Sequence, residues 1–193
     1  MMKVIKLQPI SIIPILIIML FGSATTLAYA QNPSLSKTYS NAMCGLSINY
    51  PDNWVVEESN MKFGNLFDMA EIKPNTPDGF KNTVALEAQG ISIYPDKSIE
   101  GIAEFMEFYH APDMGDTIIQ SNRIDIPGTP AHEIVYEYMT SKGDIWKDKE
   151  VYIPSENTLY VIRYNTVGLD YYDKYSSIVD DMIQSVKVDG RVC

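Results

Sequence analysis

Residues 145–166 read IWKDKEVYIPSENTLYVIRYNT. Aromatic and β-branched side chains crowd two runs, 145–153 and 159–166, as extended strands require. Pro154-Ser155-Glu156-Asn157 lies between them and supplies turn chemistry, so the pair reads as a hairpin. Downstream, Gly168 precedes Leu169, Tyr172, Tyr175, Val179, Met182, Ile183 and Val186. Spacings of three and four put these on one face of an amphipathic helix of about five turns.

Upstream, Ile134, Tyr136 and Tyr138 alternate with Glu133, Val135 and Glu137, and a strand over 118–126 precedes them across the turn Gly128-Thr129-Pro130. Ser98 is placed to cap a first helix, with Glu100 in its first turn. Ile99, Ile102, Ala103, Met106 and Tyr109 share one face of that helix, and Pro112 stops it. Val84, Leu86 and Ala88 mark another strand; the phase then slips at Gln89-Gly90 to Ile91 and Ile93, which predicts a bulge. A loop with two prolines, 73–81, separates it from a strand over 66–72. Leu46, Ile48 and Tyr50, the turn Pro51-Asp52-Asn53 and the run from Trp54 predict an N-terminal hairpin with Trp54 as its core anchor. Many antiparallel strands with two interspersed helices define an α+β layered fold.

The first thirty residues differ in kind. Lys3 and Lys6 open them, a dense apolar run follows from Ile10 to Phe21, and Ala28-Tyr29-Ala30 closes them in the small-x-small pattern of a signal-peptidase site. Residues 1–30 therefore read as a signal peptide cleaved after Ala30. The alternative is an uncleaved anchor, although the dense run is shorter than the roughly 20 apolar residues a bilayer core requires. Residues 31–40 read as a flexible lead-in, and 41–193 as one domain. Removing the leader takes two lysines and no acid from 15 basic and 25 acidic residues, leaving 13 against 25 and a net charge of −12. Such a surface repels nucleic acid and anionic lipid headgroups; membrane contact is expected only through a partner or an uncleaved leader. Two cysteines, Cys44 and Cys193, are an even count in an exported chain and suggest a disulfide tying the domain's ends, with two separate thiols as the alternative. On the chain-entropy estimate so long a loop stabilises the fold by about 5 kcal/mol.

Chemistry-bearing residues are sparse. The chain has two histidines, His110 and His132, no Gly-x-Ser-x-Gly elbow and no phosphate-cradling glycine loop. His132 and Glu133 are adjacent on a strand and point to opposite faces, which separates them chemically. His110, Asp113 and Asp116 surround the end of the first helix and form the best candidate metal site, suited to zinc or manganese; the plainer reading is a helix-terminal histidine beside solvated aspartates. Asp144, Asp148 and Glu150 form a second acidic group, but interleaved Lys142, Lys147 and Lys149 make a solvated face the expectation over a calcium loop. Asp180 and Asp181 read as the wet side of the last helix. Tyr136, Tyr138, Tyr152, Tyr160 and Tyr164 fall on adjacent strands, where they line a ligand or partner cleft or else pack the core.

Taken in order, several short segments resemble PsbP-like domains. Asn49-Tyr50-Pro51-Asp52-Asn53-Trp54 resembles the family's strand–turn–Trp signature, and Ser98 with its helix matches the segment after the long central strand. Ile126-Pro127-Gly128-Thr129-Pro130-Ala131-His132 resembles its Gly-x-Pro-Ala strand start. Leu159-Tyr160-Val161-Ile162-Arg163-Tyr164 resembles the penultimate strand, and Ile183-Gln184-Ser185-Val186 the close of the final helix. The resemblance spans about residues 40–188. It implies an antiparallel sheet flanked by helices in an α/β/α sandwich. Within the family, PsbP is an extrinsic photosystem subunit that helps retain calcium and chloride, and a related branch binds a small GTPase. Export argues against a nuclear GTPase partner here, and fold transfers better than function. The expectation is an exported, non-enzymatic module that binds or stabilises an extracytoplasmic protein or membrane complex and needs no cofactor. The alternative is a binder of a small ligand or a divalent cation (calcium, manganese or zinc).

Overall fold

The hairpin at 145–166 lies in the middle of the molecule. The structure, a computed structural model, describes residues 33–112, 115–191 and 193. In chain order the elements are β1 (Lys37–Asn41), β2 (Leu46–Tyr50), β3 (Trp54–Phe63), β4 (Leu66–Pro74), β5 (Asn82–Gly90), α1 (Ile99–Tyr109), β6 (Asp116–Ile126), β7 (Thr129–Met139), β8 (Ile145–Pro154), β9 (Thr158–Thr166), α2 (Leu169–Gln184) and β10 (Lys187–Val188). Seven strands form an antiparallel sheet in the order β3-β4-β5-β9-β8-β7-β6, and β1-β2-β10 form a small second sheet. β8 and β9 pair with Val151 opposite Ile162 and Glu150 opposite Arg163.

Because side chains alternate along each strand, the large sheet builds two cores. On one face Ile72, Val84, Leu86, Val151, Ile162 and Tyr164 pack against Tyr172, Val179, Met182 and Ile183 of α2, joined by Leu46 and Ile48 of the small sheet. On the other, Ile134, Tyr136, Tyr152 and Val161 pack against Ile102 of α1 and the turn residues Ile91 and Tyr94. Each helix covers one face, as the sandwich expectation requires. Ser98 caps α1 by accepting from Gly101 N at 3.0 Å. Gly168, at φ +96°, starts α2 in a backbone conformation that side-chain-bearing residues resist. Among the described residues no helix is long and apolar enough to cross a membrane.

Several local expectations are corrected. β2 and β3 do not form a hairpin: β2 pairs with β1 and β10, and β3 with β4. Pro51-Asp52-Asn53 is a corner between sheets, closed by Trp54 N donating to Pro51 O, after which Trp54 packs edge-on against Tyr175 at 5.7 Å. Residues 37–40 are not lead-in but most of β1, because β2 offers them an open edge and Tyr39 is buried beneath it. The slip at Gly90 is not a bulge; β5 ends there and Ile91–Ile93 make a 3₁₀ turn that swings Ile91 toward α1. Tyr109 faces solvent and His110 takes the buried place, since at about 100° per residue position 110 lies nearer the stripe's centre. The leader, residues 1–30, lies outside the described residues.

Candidate functional site

The face under α1 carries an unusual load of charge for a sheet interior. Glu150 on β8 points into it at 2% exposure. Its Oε1 accepts from Arg163 Nε at 2.5 Å and from Tyr136 OH at 3.0 Å, and Oε2 accepts from Tyr152 OH. Arg163 reaches on to Glu87 Oε1 with Nη1 at 2.8 Å. Strand register explains the cluster: Glu150 lies opposite Ile134 on β7 and opposite Arg163 on β9, so cross-strand neighbours on one face become partners. Burial pushes the Glu150 carboxyl upward, but His110, Arg163 and Tyr152 outweigh it and hold the group at about 2. Burial, with the Glu150 charge beside them, drives Tyr136 and Tyr152 well above the ordinary phenol range.

His110 joins this network from the end of α1. Nδ1 lies 2.7 Å from Asp116 Oδ2 at the start of β6. Nε2 lies 3.4 Å from Glu150 Oε2 without hydrogen-bond alignment. The ring stacks on Tyr136, centroids 3.9 Å apart. Burial works against its charge, yet Glu150 and Asp116 together raise its pKa above the ordinary value. The arrangement ties α1 and β6 to the central strands. Of the predicted metal set, His110 and Asp116 are thus brought together and bonded to each other, while Asp113 lies outside the described residues. Among the described residues no group of three His, Cys, Asp or Glu side chains is arranged to hold a metal ion.

The other predicted residues separate. Tyr136, Tyr138 and Tyr152 lie on the α1 face, whereas Tyr160 and Tyr164 lie on the α2 face. No single cleft unites them, because β9 presents its tyrosines at the parity opposite to Val161 and Arg163. Tyr160 OH donates to Cys44 O at 2.6 Å, and Tyr164 OH to Tyr171 O at 3.0 Å. The 144–150 group is not a solvated face either. Asp144 is exposed, but Asp148 and Glu150 turn under α1 and Lys149 is buried under α2. Lys149 Nζ bridges Glu133 Oε2 at 3.0 Å and Asp180 Oδ1 at 2.5 Å, so Asp180 is an ion-pair partner rather than simply wet. Asp148 Oδ1 accepts from Thr166 N at 2.9 Å. Burial, opposed by that hydrogen bond and reinforced by Glu150, pushes Asp148 up to about 7. Cys44 and Cys193 form a disulfide, with Cα atoms 4.8 Å apart.

Sequence reasoning missed the roles of Arg163, Glu87 and Ser121. Arg163 had one signal, a lone charge inside an apolar strand run. Ser121 Oγ donates to Glu107 Oε1 and lies 2.7 Å from His132 Nε2. In a nucleophile–base–acid relay the acid orients the base from its far nitrogen. Here the carboxylate takes the serine's own proton donation, and His132, its pKa lowered by burial, sits 4.0 Å from that carboxylate.

A profile of the PsbP-like protein family matches residues 23–188. Among curated proteins no sequence match was found. Solved structures share the fold at low identity. Cyanobacterial PsbP (CyanoP) from Synechocystis is 15% identical, covering 79% of this chain and 91% of its own, at a TM-score of 0.58. The Ran-binding protein Mog1p of Saccharomyces cerevisiae is 9% identical, covering 79% and 94%, at 0.52. A Bacteroides thetaiotaomicron protein is 12% identical at 0.52; the match covers 80% of this chain but about half, 49%, of that one. With the profile matching most of its length, and with two helices over a largely antiparallel sheet, this chain belongs to the PsbP-like family.

Proposed function

We propose that this protein is an exported, non-catalytic module that binds a protein partner outside the cytoplasm through the outer surface of α1. One observation carries the reading: Phe105, Phe108 and Tyr109 stand 40%, 77% and 58% exposed along one side of that helix. Aromatic side chains grouped on a surface are characteristic of interface centres. The helix beneath is well anchored, by Ile102 in the core and by His110 at its end, so the surface is presented rigidly. Export is supported by the Cys44–Cys193 disulfide, which belongs to oxidising compartments, and by the leader-like residues 1–30. A non-catalytic role is supported by Glu150, whose oxygens are all engaged internally, and by Ser121, whose proton goes to a carboxylate and not to a histidine. The yeast structural neighbour is a Ran-binding protein, so the same architecture serves protein recognition there. Affinity capture from solubilised membranes of the producing organism tests the proposal. A reproducible partner is expected, lost in Phe108→Ser; no reproducible partner, or one indifferent to Phe108→Ser, overturns it.

A further inference from the structure

The outward half of α1 is divided lengthwise. Ile99, Ile102, Ala103, Met106 and His110 face the sheet. Glu100, Glu104 and Glu107 run along one flank at i, i+4 and i+7; Phe105, Phe108 and Tyr109 run along the other at i, i+3 and i+4. The helix has no basic residue of its own. Phe105 is fixed to the body by an edge-on contact with Tyr94 at 5.2 Å, whereas Phe108 points straight out. Arg123 Nη1 pairs with Glu100 Oε1 at 2.6 Å, and Glu107 accepts from Ser121, leaving exposed Glu104 at the centre of the acidic flank.

We propose that the partner presents a basic amphipathic helix that lies along α1, its apolar side on Phe105, Phe108 and Tyr109 and its Lys or Arg side chains over Glu104 and its neighbours. This rests on the partner-binding reading above and adds the partner's chemistry. Three features select that occupant. The exposed aromatic residues stand at i, i+3 and i+4, a ridge of the kind that packs into the groove of another helix. The acidic flank beside them asks for positive charge, and the acidic chain as a whole steers cations toward it. The same charge repels anionic lipid, which favours a polypeptide over a membrane surface as the occupant. From Glu100 to Tyr109 this surface runs about 14 Å along the helix, enough for about two and a half turns of the partner.

Photo-crosslinking reads this directly. The full chain carrying Phe108→benzoylphenylalanine is incubated with solubilised membranes, irradiated, and the attached peptide is sequenced by mass spectrometry. A net-positive segment with apolar residues at three- and four-residue spacing is expected. In parallel, the Glu100→Lys/Glu104→Lys variant should capture roughly tenfold less partner at low salt, with the difference vanishing at high salt. Both positions are exposed, so an unchanged melting temperature confirms that folding is intact. A crosslinked segment that is acidic, neutral or without helical period overturns the inference while leaving partner binding standing. So does capture indifferent to the charge reversal. Capture of nothing by the unmodified protein defeats the partner-binding reading, and this inference with it.

Discussion

The two faces of the central sheet solve the same burial problem with different chemistry. Under α2, β9 contributes Tyr160, Ile162 and Tyr164 to a largely apolar layer, with charged bridges from Lys149 to Glu133 and Asp180 and from Lys147 to Glu137 near the β7–β8 side. Under α1, the same strand contributes Val161 and Arg163, and β8 contributes Asp148, Glu150 and Tyr152. Central strands covered on both sides ordinarily read as continuous apolar runs. The α1 face departs from that pattern because its charges are mutually satisfied: Arg163 serves Glu150 and Glu87, and His110 serves Asp116. Apolar burial supplies stability under α2. Under α1 the paired charges roughly offset their own desolvation, and what they add is a defined position for α1 and β6.

The largest effects separate the faces by their pH dependence. Glu150→Gln is expected to cost about 2–3 kcal/mol at neutral pH, because half-buried Arg163 is left with Glu87 as its remaining carboxylate partner and the tyrosines lose a charged acceptor. Ile162→Ala should cost about 2–5 kcal/mol through the cavity it leaves. Glu150 is held at about 2 against an ordinary 4.5. A depressed acid stabilises the fold above its unfolded pKa and loses that contribution as pH falls through the folded one. The Glu150→Gln penalty should therefore shrink between pH 4.5 and 2, while the Ile162→Ala penalty stays constant; urea unfolding across that range measures both. Equal pH profiles would break the distinction between the faces.

A smaller effect comes from Asp148, raised from 3.8 to about 7. The sign is opposite: its contribution is complete below pH 3.8 and declines as pH rises to about 7. Asp148→Asn keeps an acceptor for Thr166 N and removes the titration. Its melting temperature should fall less between pH 4 and 7 than that of the unmodified protein; parallel curves would place the titration elsewhere. His110, also raised, adds a further loss above its ordinary 6.5 in both proteins. The smallest expected effect is calorimetric. Zinc, manganese or calcium should give no binding heat, since Nδ1 of His110 and Oδ2 of Asp116 are committed to each other. Heat that disappears in Asp116→Asn would show instead that the α1 face holds a metal.

Much of the layout was legible from period alone. The β8–β9 hairpin, the strand at β7, the Ser98 cap and the apolar stripe of α2 follow from side-chain spacing and turn chemistry, which are local. The β2–β3 corner was not legible, because a Pro-Asp-Asn turn joins strands of one sheet or of two with the same local geometry. The candidate site was legible in pieces. His110 and Asp116 were singled out together, but their partner Glu150 was assigned to a solvated face with Asp144. Nothing local to 144–150 says that helices cover both faces of β8, and that cover turns a charged strand into a buried network.

By itself the sequence determined the α+β class, the acidity and the count of two cysteines and two histidines, since composition and short-range period carry those; it suggested the disulfide, which the 4.8 Å Cα separation of the folded chain makes definite. Tertiary structure alone decided which face each charge occupies, that Arg163 and His110 converge on one carboxylate, and that α1 turns three aromatic side chains outward. These depend on strand order and register, contacts between residues far apart in the chain, which no local pattern encodes.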